Sequence, residues 1–257
     1  MKPFREWDFT LGKYGTLCKV IRSSDYSVFT VADYHVDREL FDSGNSVILR
    51  HDVDRRPENA VEMSRIEAAL GIRATYYFRA KKHTFKPKII TEIADLGHEI
   101  GYHYECLSDA HGNMEEAIAD FEKKLAWFRE LVPVRTICMH GSPLSKWDNR
   151  DLWSEYDFGN YGIIGEPYLS IDHGDVVYLS DTGRNWDCNS HNVRDRVRSG
   201  IRVEMQSTAD LLEALATKQY GKLHILCHPE RWAANIPTFV AQLIKDSLTN
   251  LVKWTLR

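Results

Sequence analysis

The chain has 257 residues, of which 43% are hydrophobic and 27% are charged, and its formal net charge is -4. This length fits one large α/β domain, and the composition is that of an ordinary globular protein that buries a sizeable core. The weakly acidic balance provides no basic field. Nucleic acid is therefore excluded as an expected partner.

The N-terminal residues lack the apolar core of a secretory signal, and no apolar stretch is long enough to cross a bilayer. We therefore expect a cytoplasmic protein without stable membrane insertion, and a homo-oligomer remains open. The five cysteines are scattered, and none of them forms a C-x-x-C pair. They are typical of reduced thiols rather than of a disulfide framework or a zinc ribbon.

Strand and helix patterns alternate along the chain. Strands are predicted at 26–31, 47–51, 74–78, 98–103, 134–139, 175–180 and 223–227. Helices are predicted at 10–23, 32–41, 57–70, 87–96, 113–130, 208–215 and 237–254. Between residues 141 and 174 the sequence is irregular and rich in turn residues, which favours loops over one face.

This alternation is typical of parallel β/α units with right-handed crossovers. We predict an α/β fold, a distorted parallel β/α barrel with seven strands. Because there is no linker or internal repeat, residues 1–257 are expected to form a single domain. Within it, residues 1–46 would be an N-terminal extension, 47–232 the motif-bearing barrel and 233–257 a closing helix.

The stretch from Val47 to Asp54 is an apolar strand that turns abruptly ionic. Asp52 and Asp54 have the strand period of two, so both carboxylates can face the same way, where they repel each other unless a cation or a proton lies between them. This stretch alone leaves two interpretations open: a metal site, or a salt-bridged turn with the neighbouring arginines as partners.

The other predicted strands also end in polar groups of catalytic type. These ends are His103-Tyr104-Glu105, His140, Asp181 to Trp186, and His228. In a parallel barrel such ends converge on one rim. Together with the two aspartates they indicate metal-assisted hydrolysis, in which carboxylate and imidazole ligands suit zinc or a similar first-row ion.

The order of these motifs resembles the NodB-type polysaccharide deacetylases of carbohydrate esterase family 4. The resemblance is specific at Gly97 to His103 and at Ile225 to His228, and it spans residues 47–232. It implies a distorted β/α barrel that removes acetyl groups from N-acetylated sugars with a divalent metal. From the Asp and His ligands we expect this metal to be zinc, with manganese, cobalt or nickel as alternatives.

The resemblance also implies roles for individual positions. Asp52 matches the catalytic base, Asp54 and His103 match metal ligands, and His228 matches the general acid. Leu226 matches the residue that lines the acetyl pocket, and Asp181 and Trp186 match the late motif that steadies the base and walls the site. The family's base-orienting arginine is not otherwise evident, and Arg184 is the candidate to take over its role.

Two positions depart from the family pattern. The usual adjacent aspartates are replaced by Asp52-Val53-Asp54, which leaves open which of the two is base and which is ligand and resembles lipid-linked aminosugar deformylases. The second metal histidine is expected at residue 107, which is leucine. The candidates for the missing ligand are Glu105, His111 and His140, and His140 and Tyr104 are also candidates for substrate binding.

The sequence therefore predicts a metal-dependent N-deacetylase. Its expected substrate is an N-acetylated sugar, carried on a nucleotide or a lipid, in O-antigen or other surface-polysaccharide biosynthesis. Two alternatives remain open: a C–N hydrolase or deformylase acting on another substrate, and a degenerate barrel that binds sugar without turnover.

Overall fold

The computed structural model describes residues 3–142, 145–186 and 205–255, together with residues 197, 201 and 203. Its strands are β1 (Ser27–Phe29), β2 (Ser46–Val53), β3 (Thr75–Arg79), β4 (Glu99–Tyr104), β5 (Ile137–Met139), β6 (Val177–Ser180) and β7 (Lys222–Cys227). All strand pairs are parallel, as expected for strands joined through helices.

The sheet is curled but open. Its strand order is β5-β4-β3-β2-β7-β6, and β1 pairs with the start of β2. Within the described residues the two end strands, β5 and β6, do not pair with each other. The predicted α/β fold, a distorted parallel barrel of seven strands, is confirmed.

The helices follow the strands in sequence. They are α1 (Leu11–Ser23), α2 (Val31–Val36), α3 (Arg38–Asp42), α4 (Pro57–Ala69), α5 (Pro87–Asp95), α6 (Cys106–Asp109), α7 (Met114–Arg129), α8 (Pro167–Ser170), α9 (Thr208–Ala216) and α10 (Ile236–Thr255). Short 3-10 helices lie at Phe4–Glu6, Asn149–Ser154, Phe158–Tyr161 and Pro229–Arg231. In the described residues, no helix combines the length and the apolar character needed to cross a membrane.

One predicted helix is divided in the structure. The helix expected at 32–41 splits at Asp37, whose backbone leaves the helical region with φ -131° and ψ 63°. The Asp37 side chain then accepts a hydrogen bond from the Leu40 amide (3.1 Å) and caps a new helix. Local capping chemistry therefore overrides a continuous helical pattern at this position.

Strand β2 is buried on both faces, and its side chains alternate between two environments. Val47, Leu49 and Val53 pack in the main core between the sheet and the helices. Ile48 belongs to a second apolar cluster, with Phe29, Tyr77 and their neighbours, inside the curl of the sheet. The strand period therefore directs Arg50, Asp52 and Asp54 to the inner face as well.

A glycine in β4 allows the inside of the curl to be filled. A Cβ atom on Gly101 would lie 2.2 Å from Cε1 of Tyr77 and 2.9 Å from the carbonyl oxygen of Thr136, so no larger residue fits. The Tyr77 ring occupies this space, and its hydroxyl donates to Thr136 Oγ1 at 2.9 Å. Tyr77 thus fills the middle of the curl, below the carboxyl ends of the strands.

Candidate active site

Three predicted residues meet where β2 and β4 end. The Nε2 atom of His103 lies 3.4 Å from Asp54 Oδ1 and 3.8 Å from Asp52 Oδ2. Strand β3 lies between β2 and β4 and pairs with both of them in parallel, so β2 and β4 end at the same edge of the sheet. The predicted convergence of the aspartates and the first histidine is thus present in the structure.

His140, which follows β5, joins this group. Its Nε2 atom also lies 3.4 Å from Asp54 Oδ1, and its ring meets the His103 ring edge to face, with centroids 5.3 Å apart. We call Asp52, Asp54, His103 and His140 the inner cluster. Of the candidates for the missing ligand, His140 is the one whose Nε2 atom faces Asp54.

Glu105 contacts the histidine rather than the aspartates. Its Oε2 atom lies 3.1 Å from His140 Nδ1, and Arg79 binds both carboxylate oxygens, at 3.0 Å and 2.7 Å. Burial opposes ionisation of Glu105, but hydrogen bonds from His140 and Arg79 outweigh it and hold its pKa well below the usual range. Glu105 therefore orients His140 from behind.

His111 lies apart from the inner cluster. It is exposed on the turn after α6, with φ 50°. Within the described residues no hydrogen bond or ion pair joins its imidazole to Asp54 or His103. The structure does not bring this candidate to the site.

The inner cluster fits a metal ion by the chemistry of its free donor atoms. His103 Nδ1 donates to the carbonyl of Cys138 at 2.9 Å, so the Nε2 lone pair remains available. Because His140 Nδ1 contacts Glu105, the Nε2 lone pair of His140 is available in the same way. Asp54 Oδ1 is buried without a hydrogen-bond partner, although two imidazoles face it. A cation would satisfy all three atoms.

A second group of donor atoms shares His103. Asp52, His103 and Cys138 each offer an atom within 4.8 Å of the other two. In this group, however, Asp52 already contacts the Arg50 guanidinium, and the Cys138 thiol donates to Asp52 Oδ2 across 3.9 Å. We therefore favour the group around Asp54, because Asp54 Oδ1 has no hydrogen-bond partner.

Electrostatics keep Asp54 ionised. Burial favours its protonated form, but the charges of His140, His103 and His228 outweigh burial and hold its pKa well below the usual range. His228 follows β7, which pairs with β2 in parallel with Cys227 opposite His51, so His228 leaves the sheet at the same edge as Asp52.

Asp52 is buried beside an arginine that the sequence suggested only as a partner in a salt-bridged turn. Arg50 Nη2 lies 3.4 Å from Asp52 Oδ2, and the same nitrogen donates to the Tyr168 hydroxyl at 2.6 Å. Asp52 Oδ1 has no hydrogen-bond partner. One oxygen is thus held in place while the other remains available to accept a proton.

Arg184, the predicted base-orienting arginine, points elsewhere. It pairs with Asp246 at 3.2 Å and lies over the rings of Phe9 and Phe239. Its backbone, with φ 60°, belongs to the turn after β6, and its side chain meets α10 at Asp246. The structure therefore places Arg50, rather than Arg184, against Asp52.

His228 and Asp181 form a buried pair. Asp181 Oδ1 lies 2.6 Å from His228 Nδ1, and Oδ2 accepts from the His228 amide at 2.8 Å and from Trp232 Nε1 at 3.0 Å. Burial and the charge of Arg231 lower the pKa of His228, but Asp181 outweighs both and raises it to about 9. The imidazole is therefore protonated near neutral pH.

The predicted substrate-binding residues are dispersed. Tyr104 alternates with His103 and faces the helix layer, where its hydroxyl accepts from Trp153 Nε1 at 2.8 Å. Trp186 is fully buried and donates to Thr208 Oγ1 at 3.1 Å. Leu226 is in register with Arg50, and the strand period directs it to the inner face. Only Leu226 and His140 are on the side of the inner cluster.

Three functional candidates were missed by sequence reasoning: Arg50, Glu230 and Arg231. The period of two in β2 places Arg50 on the same face as Asp52, a signal that was present in the sequence. Arg231 donates to the Asp181 carbonyl at 2.6 Å. Glu230 and Arg231 follow His228 by two and three residues, but the groups nearest to them, Arg55 and Asp181, come from distant segments that the sequence does not place beside them.

Comparisons with known proteins give a limited likeness. No protein-family model and no curated protein matches this chain. Among solved structures, the fold is similar to that of a family 4 carbohydrate esterase from Streptomyces lividans in complex with acetate. The match has 16% identity, covers 82% of this chain and 90% of that chain, and has a TM-score of 0.42.

Proposed function

We propose that this protein is a metal-dependent hydrolase that removes the N-acetyl group from an acetylated sugar. The observation that carries the proposal is the convergence of two imidazole Nε2 atoms on the unpartnered Oδ1 atom of Asp54, each at 3.4 Å, beside Asp52. A hydrogen-bonded pair, His228 and Asp181, follows the neighbouring parallel strands β7 and β6 at the same edge of the sheet. Together they supply the parts that amide hydrolysis needs.

The residues that would hold the ion are Asp54, His103 and His140. Zinc suits one carboxylate and two imidazoles, and manganese, cobalt or nickel are the alternatives. A bound divalent ion polarises an amide carbonyl and lowers the pKa of water. Glu105 and the Cys138 carbonyl hold the two imidazoles in the tautomer that binds a metal.

The remaining residues move protons. Asp52 accepts a proton from the attacking water at its free oxygen, while Arg50 fixes the other oxygen. His228 is bound to Asp181 through Nδ1, so it donates from Nε2 to the leaving nitrogen. As the C–N bond breaks, the products are acetate and the free amino sugar.

We further propose that the substrate is an intermediate of O-antigen or other surface-polysaccharide biosynthesis, carried on a nucleotide or a lipid, and that the reaction takes place in the cytoplasm. The support is the family resemblance of the sequence, whose motifs span residues 47–232.

The test measures bound metal and released acetate. The purified chain should hold about one equivalent of a divalent ion and release acetate and free amine from N-acetylated sugars or sugar nucleotides. A chain that binds no added zinc, manganese or cobalt, and that releases no acetate in their presence, would contradict the proposal.

Substitutions distinguish the two candidate metal sites, the one around Asp54 and the one that includes Cys138. His140→Ala should weaken metal binding by at least 100-fold, since loss of a ligand exceeds the roughly 10- to 100-fold effect of losing an outer hydrogen bond. Cys138→Ser and His111→Ala should leave the affinity within about threefold. Loss of metal in Cys138→Ser with retention in His140→Ala would assign the ion to Asp52, His103 and Cys138 instead.

A further inference from the structure

Glu230 belongs to a short segment that is firmly held after β7. Asn59 Nδ2 donates to the carbonyl oxygens of Pro229 and Trp232, at 3.1 Å and 3.3 Å. On its other side, Arg231 donates to the Asp181 carbonyl. The backbone of Glu230 is thus fixed between α4 and the His228–Asp181 pair.

The carboxylate of Glu230 is buried but unsatisfied. The residue is 1% exposed, and neither side-chain oxygen has a hydrogen-bond partner. Among the buried acidic residues that the structure describes, it is the one with both oxygens in this state. Glu67, by contrast, accepts from Tyr14 and Tyr76, and Glu166 accepts from three backbone amides.

The nearest cation does not satisfy this carboxylate. Arg55 Nε lies 3.7 Å from Glu230 Oε1, beyond hydrogen-bond range, and the Arg55 side chain is 39% exposed. An arginine that is this exposed can move aside when another donor arrives. Without a donor, burying the ionised carboxylate costs free energy, so the position favours a ligand that brings one.

The surroundings place Glu230 beside the candidate active site. Burial and then the charge of Asp54 raise the pKa of Glu230 to about 7, whereas the charge of His228 lowers it. The geometry agrees: Glu230 lies two residues after His228, and Arg55, whose Nε is 3.7 Å from Glu230 Oε1, directly follows Asp54 in the chain. A sugar whose acetamido group lies between those two residues would bring its neighbouring hydroxyl groups toward Glu230.

We propose that Glu230 is a substrate-binding residue whose carboxylate accepts hydrogen bonds from ring hydroxyl groups adjacent to the acylamino group. This inference rests on the proposed function. It adds a residue that distinguishes an amide on a hydroxylated sugar ring from other amides. Hydroxyl groups supply the missing donors without adding charge. A site built to bond a hydroxyl discriminates strongly against analogues that lack it.

The test uses the full metal-loaded chain with N-acetylglucosamine and its 3-deoxy and 4-deoxy analogues as probes. Glu230→Ala and the isosteric Glu230→Gln are compared with wild type and with Glu58→Gln, an exposed residue of α4, as the matched control. The measurements are kcat and KM for acetate release, dissociation constants by calorimetry, metal content and melting temperature.

Glu230→Ala should weaken N-acetylglucosamine binding about 10- to 100-fold, as expected for a hydrogen bond to a charged group. We expect kcat to change less than about threefold and metal content to stay constant. The wild type should discriminate against one of the deoxy analogues, and this discrimination should disappear in Glu230→Ala and shrink in Glu230→Gln.

Three results would overturn the inference: loss of metal, which makes Glu230 a ligand; unchanged binding with a raised melting temperature, which makes it a strained structural group; or discrimination that survives in both variants. Failure of the proposed function looks different. In that case the wild type releases no acetate from any probe, while the calorimetric comparison of the variants still decides the role of Glu230.

Discussion

The two faces of β2 carry two groups of ionisable residues that differ in how completely they are bonded. On the inner face, the inner cluster leaves Asp52 Oδ1 and Asp54 Oδ1 without hydrogen bonds. On the opposite face, His51 bonds Glu67 at 2.6 Å, and Tyr14 and Tyr76 also donate to Glu67. We call Tyr14, His51, Glu67, Tyr76 and His98 the outer cluster.

The outer cluster contains its own partners. His98 donates through Nε2 to the Ser64 carbonyl at 3.0 Å and accepts from the Ala74 amide at 3.2 Å. Only Nδ1 of His51 lacks a hydrogen bond in this group. A saturated network stabilises a fold, whereas the inner cluster is complete only with a ligand. Composition alone would not separate the two, because both combine histidines with acids.

The largest expected effect concerns the base of the inner cluster. Asp52→Asn should lower the rate of acetate release by about 10²- to 10⁴-fold, because the amide cannot take the proton of the attacking water. Metal content and melting temperature should stay near the wild-type values. Steady-state kinetics together with metal analysis of the same preparation check this.

Asp54→Asn is the paired variant, and it should lose the metal. If Asp52→Asn loses the ion and Asp54→Asn keeps it, then Asp52 is the metal ligand and Asp54 is the base. If neither variant affects the rate, the inner cluster has no part in catalysis, and its difference from the outer cluster is not functional.

The opposite behaviour is expected on the outer face. Glu67→Gln breaks the pair with His51 and should destabilise the fold by about 3 kcal/mol, about 6–12 °C in melting temperature for a chain of this size. The kcat of the folded variant should stay within about threefold of wild type. Thermal unfolding followed by circular dichroism, alongside kinetics, measures both quantities.

Glu62→Gln on the same helix is the matched control. Glu62 is half exposed and, among the described residues, forms an ion pair with the equally exposed Arg65 at 3.1 Å, so its loss should change stability by less than about 0.5 kcal/mol. A large loss of activity in Glu67→Gln at temperatures where it is folded would show that the outer cluster takes part in the reaction.

The smallest expected effect is a shift in the pH dependence of the enzymatic rate. Because His228 has a pKa of about 9 in the folded protein, acid-dependent activity should fall above about pH 9. Asp181→Asn removes the charge that raises this pKa, so the descending limb should move to lower pH. An NMR titration of His228 and the pH–rate profile check the shift.

The same pKa has a consequence for stability. The ordinary value is 6.5, so the raised pKa stabilises the fold fully below about pH 6.5, and this contribution is lost as the pH rises through about 9. Asp181→Asn should therefore be less stable than wild type at pH 6, and the difference should narrow by pH 10. A difference that does not depend on pH would contradict the pairing.

The strands and most helices were predictable because they follow from local periodicity. The seven strands and the alternation of Asp52 with Val53 follow from apolar runs and from the period of two. The break at Asp37 was not predicted because one side-chain cap decided it. The predicted single domain stays a prediction.

The site was predicted less completely because its contacts are not local. The meeting of His103 with the aspartates followed from parallel strand ends, but the choice among Glu105, His111 and His140 depended on orientation. Arg79, 26 residues before Glu105, engages that carboxylate and leaves His140 facing Asp54. No spacing in the sequence shows such a competition between partners.

Successive residues of β2 face opposite sides of the sheet, so the inner cluster and the outer cluster both depend on the register of this one strand. Deleting a single residue between Val47 and Leu49 would shift the pairing by one place and turn the two aspartates toward the helices, with His51 inside the curl. Both the saturated and the unsaturated group would be lost together. The chain is therefore expected to tolerate substitutions along this strand far better than changes in its length.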